Sequence, residues 1–143
     1  MGMSEHVDTK VQALDRLVGT WKVTGGAEGT VTYRWMEGRR FLIQDVDLEQ
    51  GGMPVKGTEF IGRKQPFGAE RPSEDVHSWY FDSQGATLAY VYEIEGDTLT
   101  IWGHEKGSEA YFRGTFDADG TTVAGAWVYP GGGGYESTMT RIS

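Results

Sequence analysis

The chain contains no cysteine among its 143 residues. That absence excludes a disulfide framework, a thiolate zinc site, an iron–sulfur cluster and a cysteine nucleophile. It is also typical of proteins in a reducing compartment, so we predict a cytoplasmic location. Proline is scarce, with 4 residues, whereas glycine is abundant, with 22. A chain with this balance is expected to make many tight turns.

Positive charge and long apolar runs are also in short supply. The 13 basic residues face 21 acidic ones, which gives a net charge of −8. Because a phosphate backbone is bound through clustered positive charge, we expect no nucleic acid partner. No apolar run approaches the roughly 18 residues that span a bilayer, and the amino terminus lacks the apolar stretch of a secretory signal. We therefore expect no membrane partner.

A helical pattern occurs once, near the amino terminus. Apolar residues recur there at three- and four-residue spacing, and either Ser4 or Asp8 can serve as the N-cap. The apolar stripe ends at Gly19 and comprises Val11, Leu14, Leu17 and Val18. We expect residues 1–8 to be disordered and residues 1–143 to form one domain.

After Thr20 the apolar period changes to two, which is typical of β-strands. Short blocks of β-branched and aromatic residues alternate with turn residues such as those at 50–52, 83–85, 95–97 and 117–120. The segment 64–75 has two prolines and too little apolar periodicity for a strand, so it is predicted to be a mobile surface loop. We predict ten strands, near 20–25, 29–36, 40–49, 53–63, 76–82, 87–94, 98–103, 109–116, 121–129 and 134–142.

Ten short antiparallel strands in a chain this small must hide their edges. Closing the sheet into an up-and-down barrel does so, although an open sandwich is a structural alternative. We predict an all-β fold, a closed antiparallel up-and-down barrel of about ten strands with one short N-terminal helix. The interior of such a barrel holds either packed side chains or one small ligand.

Two stretches at the ends of the barrel sequence suggest a relationship. Gly19-Thr20-Trp21 opens the first strand, and Arg141 lies in the last one. This arrangement resembles the calycin (lipocalin-like) superfamily, in which an arginine of the closing strand meets the tryptophan of Gly-x-Trp at the closed end. The resemblance implies that Arg141 lies over the Trp21 indole, a contact worth about 1 to 2 kcal/mol.

Further stretches cover most of the chain. They are Trp35-x-x-Gly38-x-x-Phe41-Leu42, Gly57-x-x-x-x-Gly62, Trp79-x-Phe81-Asp82-Ser83-x-Gly85 and Gly96-Asp97-Thr98-Leu99-Thr100-Ile101. They resemble the DUF1579 family of bacterial lipocalin-like domains, which implies the fold and no particular activity. The barrel is also similar to nitrobindin, a ten-stranded haem protein that opens with Gly-x-Trp. That second resemblance implies haem as an alternative cofactor, with His104 considered as its axial ligand; otherwise we predict no cofactor.

Histidines and acidic residues give no catalytic or metal-binding motif. His6, His77 and His104 are far apart in sequence, and none belongs to a His-x-His or His-Glu-x-x-His motif, so no metal site is predicted. The acidic residues Asp45, Asp47 and Glu49 alternate on one strand, so we assign them to its solvated outer face. The same alternation directs Gln44 inward among aliphatic residues, where its amide needs a partner.

Aromatic residues make up 13% of the chain and fall mainly in the strands. Alternation pairs them on single strand faces, and His77 shares the face of Trp79, so we interpret that face as inward. Apolar walls with a few polar groups are typical of a small-molecule pocket, whereas the alternative is that the rings fill a closed core. The predicted ligand-binding residues are Tyr33, Trp35, Gln44, His77, Trp79, Tyr90, Tyr92, Phe112, Trp127 and Met139.

The leading functional hypothesis is non-catalytic binding of a small hydrophobic or aromatic molecule inside the barrel. One alternative is a cyclase or isomerase that uses His77 or a tyrosine as proton donor in a water-poor chamber. A second alternative is a haem-binding barrel similar to nitrobindin. Dimerisation through an exposed sheet face remains open as a further partner interaction.

Overall fold

The computed structural model describes residues 8–143, and their strands form one closed antiparallel sheet. Each strand pairs with its neighbours in the chain, and the first strand pairs with the last. The predicted up-and-down barrel is therefore confirmed, and the sandwich is excluded. The strands are β1 Gly19–Gly25, β2 Glu28–Trp35, β3 Phe41–Gln50, β4 Met53–Arg63, β5 Val76–Asp82, β6 Thr87–Glu95, β7 Thr98–Gly103, β8 Tyr111–Phe116, β9 Thr122–Val128 and β10 Tyr135–Arg141.

A short helical segment precedes β1 and covers one end of the barrel. It consists of α1 (Thr9–Gln12) followed by a 3₁₀ helix (Ala13–Leu17). Its side chains Val11, Leu14 and Leu17 are buried in the barrel core, and each contributes roughly 1.5–3 kcal/mol through burial. The predicted apolar stripe thus forms the plug of this end, which we call the closed end.

Asp8 is the N-cap of α1 and was one of the two predicted candidates for that position. Its carboxylate accepts a hydrogen bond from the Val11 amide at 3.2 Å and pairs with Arg63 at 2.5 and 2.8 Å. The ion pair attaches the helical segment to the end of β4. The disorder of residues 1–8 stays a prediction. The other candidate N-cap, Ser4, lies outside the described residues.

Trp21 and Arg141 meet at the closed end, as the calycin resemblance implies. They are paired residues of β1 and β10, and the guanidinium carbon lies 4.3 Å from the centre of the indole ring. Arg141 donates hydrogen bonds to the carbonyl oxygens of Val18 and Arg16, the latter at 2.7 Å. The indole nitrogen of Trp21 donates to the Leu17 carbonyl at 2.8 Å. These contacts join the first strand, the last strand and the helical segment.

The antiparallel order places the connections after β1, β3, β5, β7 and β9 at the opposite end of the barrel. We call this the open end, because no helix of the described residues covers it. The half of the interior beside the plug is filled by fully buried side chains such as Trp21, Leu42, Ile61 and Val123. The half beside the open end contains a cavity.

The segment 64–75 connects β4 to β5 over the outside of the barrel, as predicted. Most of its residues are exposed. Arg63 donates to the carbonyl oxygens of Ser73 at 2.6 Å and Glu74 at 2.8 Å, which anchors the end of the loop. Its mobility stays a prediction. Within residues 8–143, no helix combines the length and apolar character that crossing a membrane requires.

Candidate ligand-binding cavity

A cavity of about 300 Å³ occupies the open half of the barrel. This volume is at the lower limit of the roughly 300–1,000 Å³ that is usual for small-molecule sites. Leu88 and Tyr129 lie at its mouth and are partly exposed, with 47% and 37% of their surface accessible. The two interpretations of the aromatic faces therefore each hold for part of the molecule: side chains fill the closed half, and the open half is hollow.

Seven of the ten predicted ligand-binding residues line this cavity. They are Tyr33, Gln44, Tyr90, Tyr92, Phe112, Trp127 and Met139. Six different strands supply them, and the alternation along each strand directs them inward. On β3 the acidic residues point outward and Gln44 points inward, in agreement with the sequence pattern. Whether these residues contact a ligand remains a prediction.

Trp35 is directed inward but lies near the closed end, below the cavity. Its indole nitrogen donates to the Asp15 carboxylate at 2.8 Å, and Arg39 lies 4.7 Å from its ring centre. The ring packs against the filled part of the core. Trp35 therefore fastens the helical segment to β2 and does not line the cavity.

His77 and Trp79 are on the outer face of β5, contrary to the inward orientation expected from the sequence. The interior side of this strand carries Ser78 and Tyr80 instead. On the outer face of the sheet, Trp79 packs against Phe41 of β3, with ring centres 6.4 Å apart. The outer face therefore has aromatic residues as well as the inner one. Apolar character on both faces removes the contrast that identifies the buried face of a strand.

A buried carboxyl group, absent from the predicted ligand-binding residues, faces the cavity. Glu59 of β4 is 3% exposed. Its Oε1 accepts hydrogen bonds from Gln44 Nε2 at 2.5 Å and from the Tyr92 hydroxyl at 2.8 Å. Its Oε2 accepts from the Ser78 hydroxyl at 2.6 Å. We call these four residues the Glu59 cluster; it provides the partner that the Gln44 amide was expected to need.

Burial raises the pKa of Glu59, because removing a carboxylate from water favours its neutral form. The hydrogen bonds from Ser78, Tyr92 and Gln44 oppose this shift without cancelling it. Burial also raises the pKa of Tyr33 and Tyr92, and the nearby Glu59 charge raises both further. The centre of the cavity thus combines a carboxyl group with several neutral hydroxyl and amide groups.

The pattern of β4 contains a signal for Glu59. Because side chains alternate along a strand, Glu59 lies on the same face of β4 as the apolar residues Val55 and Ile61. Charged residues are almost never fully buried unless they are paired, and this general tendency favours an outer position. Gln44 on the adjacent strand is the second signal, since Gln44 and Glu59 are directly opposite each other in the β3–β4 register.

Of the residues named for the two alternative functions, tyrosines line the cavity, whereas His77 and His104 do not. His77 is on the outer face, and the raised pKa values of the cavity tyrosines make them weaker proton donors. His104 is exposed in the turn after β7, where its φ is 69°. Neither histidine of residues 8–143 lines the cavity, so these residues do not fit a haem with an imidazole ligand. His6 lies outside the described residues.

Comparison with known proteins finds matches among solved structures. No family model matches the chain, so the resemblance to DUF1579 is not supported by that comparison. No curated protein matches the chain either. One of the matching solved structures is described as a de novo designed, fluorescence-activating β-barrel. It is 15% identical, with a TM-score of 0.49, over 91% of this chain and 97% of that chain.

Proposed function

We propose that this protein binds a small, largely apolar or aromatic molecule in the open half of its barrel, without covalent chemistry. The observation that carries the proposal is the cavity of about 300 Å³ in a barrel whose other half is packed. A cavity of that size admits a ligand of one or two rings. The ligand contacts we propose are the seven predicted residues that line the cavity.

The chemistry of the walls supports this proposal. Trp127 lies between Tyr90 and Phe112, with ring centres 5.9 and 5.6 Å away, and it stacks on Tyr129 at 6.2 Å. These rings offer a large apolar contact area, while the Glu59 cluster provides polar groups that fix the orientation of a ligand. Aromatic walls around a small number of polar groups are the usual composition of a small-molecule site.

We further propose that the barrel is a calycin, which the contact of Arg141 with Trp21 supports. A cytoplasmic location remains part of the proposal, supported by the absence of cysteine from the chain. The net charge of −8 supports the expectation that nucleic acid is not a partner. Homodimerisation stays a prediction.

The proposal can be tested with a substitution that fills the cavity. Val46 lines the cavity, and the next residue, Asp47, is exposed on the outer face of the same strand. We expect Val46→Trp to weaken binding of a neutral probe such as tryptophol by about tenfold or more, since the new indole occupies the space of the ligand. Asp47→Trp adds the same side chain outside and is expected to leave the affinity unchanged.

Isothermal titration calorimetry with tryptophol, benzyl alcohol and 2-naphthylmethanol measures these affinities. Native mass spectrometry of the protein as isolated adds a search for a bound small molecule. The proposal would be contradicted if no neutral aromatic probe binds and no bound mass is present. It would also be contradicted if Val46→Trp and Asp47→Trp bind the probes equally well.

A further inference from the structure

We propose that the ligand of this cavity is an organic cation, an arylalkylamine in its ammonium form, with the Glu59 carboxylate as its counter-charge. This inference rests on the proposed function and names the chemical class of ligand. It starts from a carboxyl group that is buried against the cavity and has no positive partner among residues 8–143.

No basic side chain neutralises Glu59. All 13 lysines and arginines of the chain lie within residues 8–143, and none of them lines the cavity. The three groups that contact Glu59, from Gln44, Ser78 and Tyr92, are neutral. A buried carboxylate is costly unless it is paired and hydrogen-bonded, so a ligand that brings a positive charge stabilises the ionised form of Glu59.

The Glu59 carboxylate also keeps capacity for a further donor. A carboxylate has about four lone-pair sites, two on each oxygen. Gln44 and Tyr92 occupy both sites on Oε1, whereas Ser78 occupies one on Oε2. Oε2 therefore keeps one lone-pair site for an ammonium donor, while the three neutral donors hold the carboxylate in place. A hydrogen bond between two charged groups is roughly twice as strong as one between neutral groups.

The aromatic walls favour the same ligand class. Tyr33 and Tyr92 lie beside Glu59, and Tyr90, Phe112 and Trp127 line the cavity around them. Ring faces attract cations, and the attraction is stronger at sites away from water. The net charge of −8 also raises the local concentration of cations near the protein.

Only one group at the centre of this site titrates in the acid range. The groups that face Glu59 from the adjoining strands are Tyr33 on β2, Tyr80 on β5, and Tyr90 and Tyr92 on β6, together with the neutral Gln44 and Ser78. Tyr80 also donates to the Asp82 carboxylate at 2.8 Å, and Asp82 does not line the cavity. The pKa of each of these tyrosines is raised above its ordinary value of 10.0. An alkylammonium group, like that of lysine, has a pKa near about 10. Below that range, a change of affinity with pH therefore reports the Glu59 carboxyl.

The test compares tryptamine with tryptophol, in which a hydroxyl replaces the ammonium group. We expect tryptamine to bind wild-type protein about tenfold or more tightly than tryptophol, measured by isothermal titration calorimetry at low salt. Glu59→Gln keeps the size of the side chain and removes its charge, so this preference is expected to disappear. Glu136→Gln, an exposed position on β10, is the matched control and should keep the preference.

A second measurement on the wild-type protein does not depend on how well Glu59→Gln folds. The preference for tryptamine should decrease as the pH falls and Glu59 becomes protonated, while the affinity for tryptophol stays nearly constant. Equal affinities for the two probes, tighter binding of tryptophol, or a preference that persists in Glu59→Gln and at acidic pH would overturn the inference alone. If none of the aromatic probes binds, whatever its size, the proposed function fails as well.

Discussion

Removing the guanidinium of Arg141 should destabilise the barrel at its point of closure. Arg141 donates to the carbonyl oxygen of Arg16 in the helical segment and to that of Val18, and it lies 4.3 Å from the centre of the Trp21 ring. Hydrogen bonds from a charged group contribute about 1.5–3 kcal/mol each, and a cation–π contact about 0.5–2 kcal/mol. Because the guanidinium is only partly buried, we take the low end of these ranges. We expect Arg141→Ala to lower the free energy of unfolding by about 3 to 4 kcal/mol.

Urea unfolding followed by tryptophan fluorescence measures this loss. The matched control is Arg34→Ala, because Arg34 pairs with Asp45 at 3.5 Å on the exposed outer face. A surface pair of this kind contributes about 0–1 kcal/mol. Arg141→Lys keeps the charge but loses the planar fork, so we expect an intermediate loss. If Arg141→Ala is no less stable than Arg34→Ala, the contact with Trp21 does not hold the barrel closed.

Two other substitutions test the account of stability. Because the pKa of Glu59 is raised above its ordinary value of 4.5, the folded state binds this proton more tightly than the unfolded state does. The wild type should therefore lose stability relative to Glu59→Gln as the pH rises through and above 4.5. Urea unfolding of both proteins at about pH 4 and about pH 8 measures the difference in their free energies of unfolding. If that difference is the same at both pH values, Glu59 is not desolvated. Gly125→Ala should lower stability by about 2 to 3 kcal/mol in thermal unfolding, since its Cβ would lie 2.1 Å from the Arg113 carbonyl oxygen. An unchanged melting temperature would show that β8 and β9 pair less closely than described.

The strands could be predicted from the sequence because their period and turns act locally. The bounds of β4, β5 and β7 coincide with the predicted 53–63, 76–82 and 98–103, and the remaining strands differ by one or two residues at an end. The inward face of β3 was also predictable, since its acidic residues stand opposite to a run of aliphatic ones. Where one face is charged and the other apolar, burial follows directly from alternation.

The candidate site was less predictable, because two of its features depend on contacts between different strands. On β5, aromatic residues cover the outer face as well, so alternation alone places Trp79 and His77 on the wrong side. Glu59 escapes prediction because its burial depends on donors supplied by β3, β5 and β6. The sequence of one strand indicates that burying its charged residue is costly, but it does not indicate which groups on other strands will hydrogen-bond to that residue.

Methyl NMR during a titration with tryptophol tests most directly whether the open half of the barrel is a binding cavity. We expect the methyl resonances of Val46, Leu48 and Met139, which line the cavity, to shift with added probe. Those of Leu14 and Leu17, buried in the plug at the closed end, should stay in place. Saturating binding with shifts confined to the plug or to outward-facing residues, or no shift at all, would contradict this expectation.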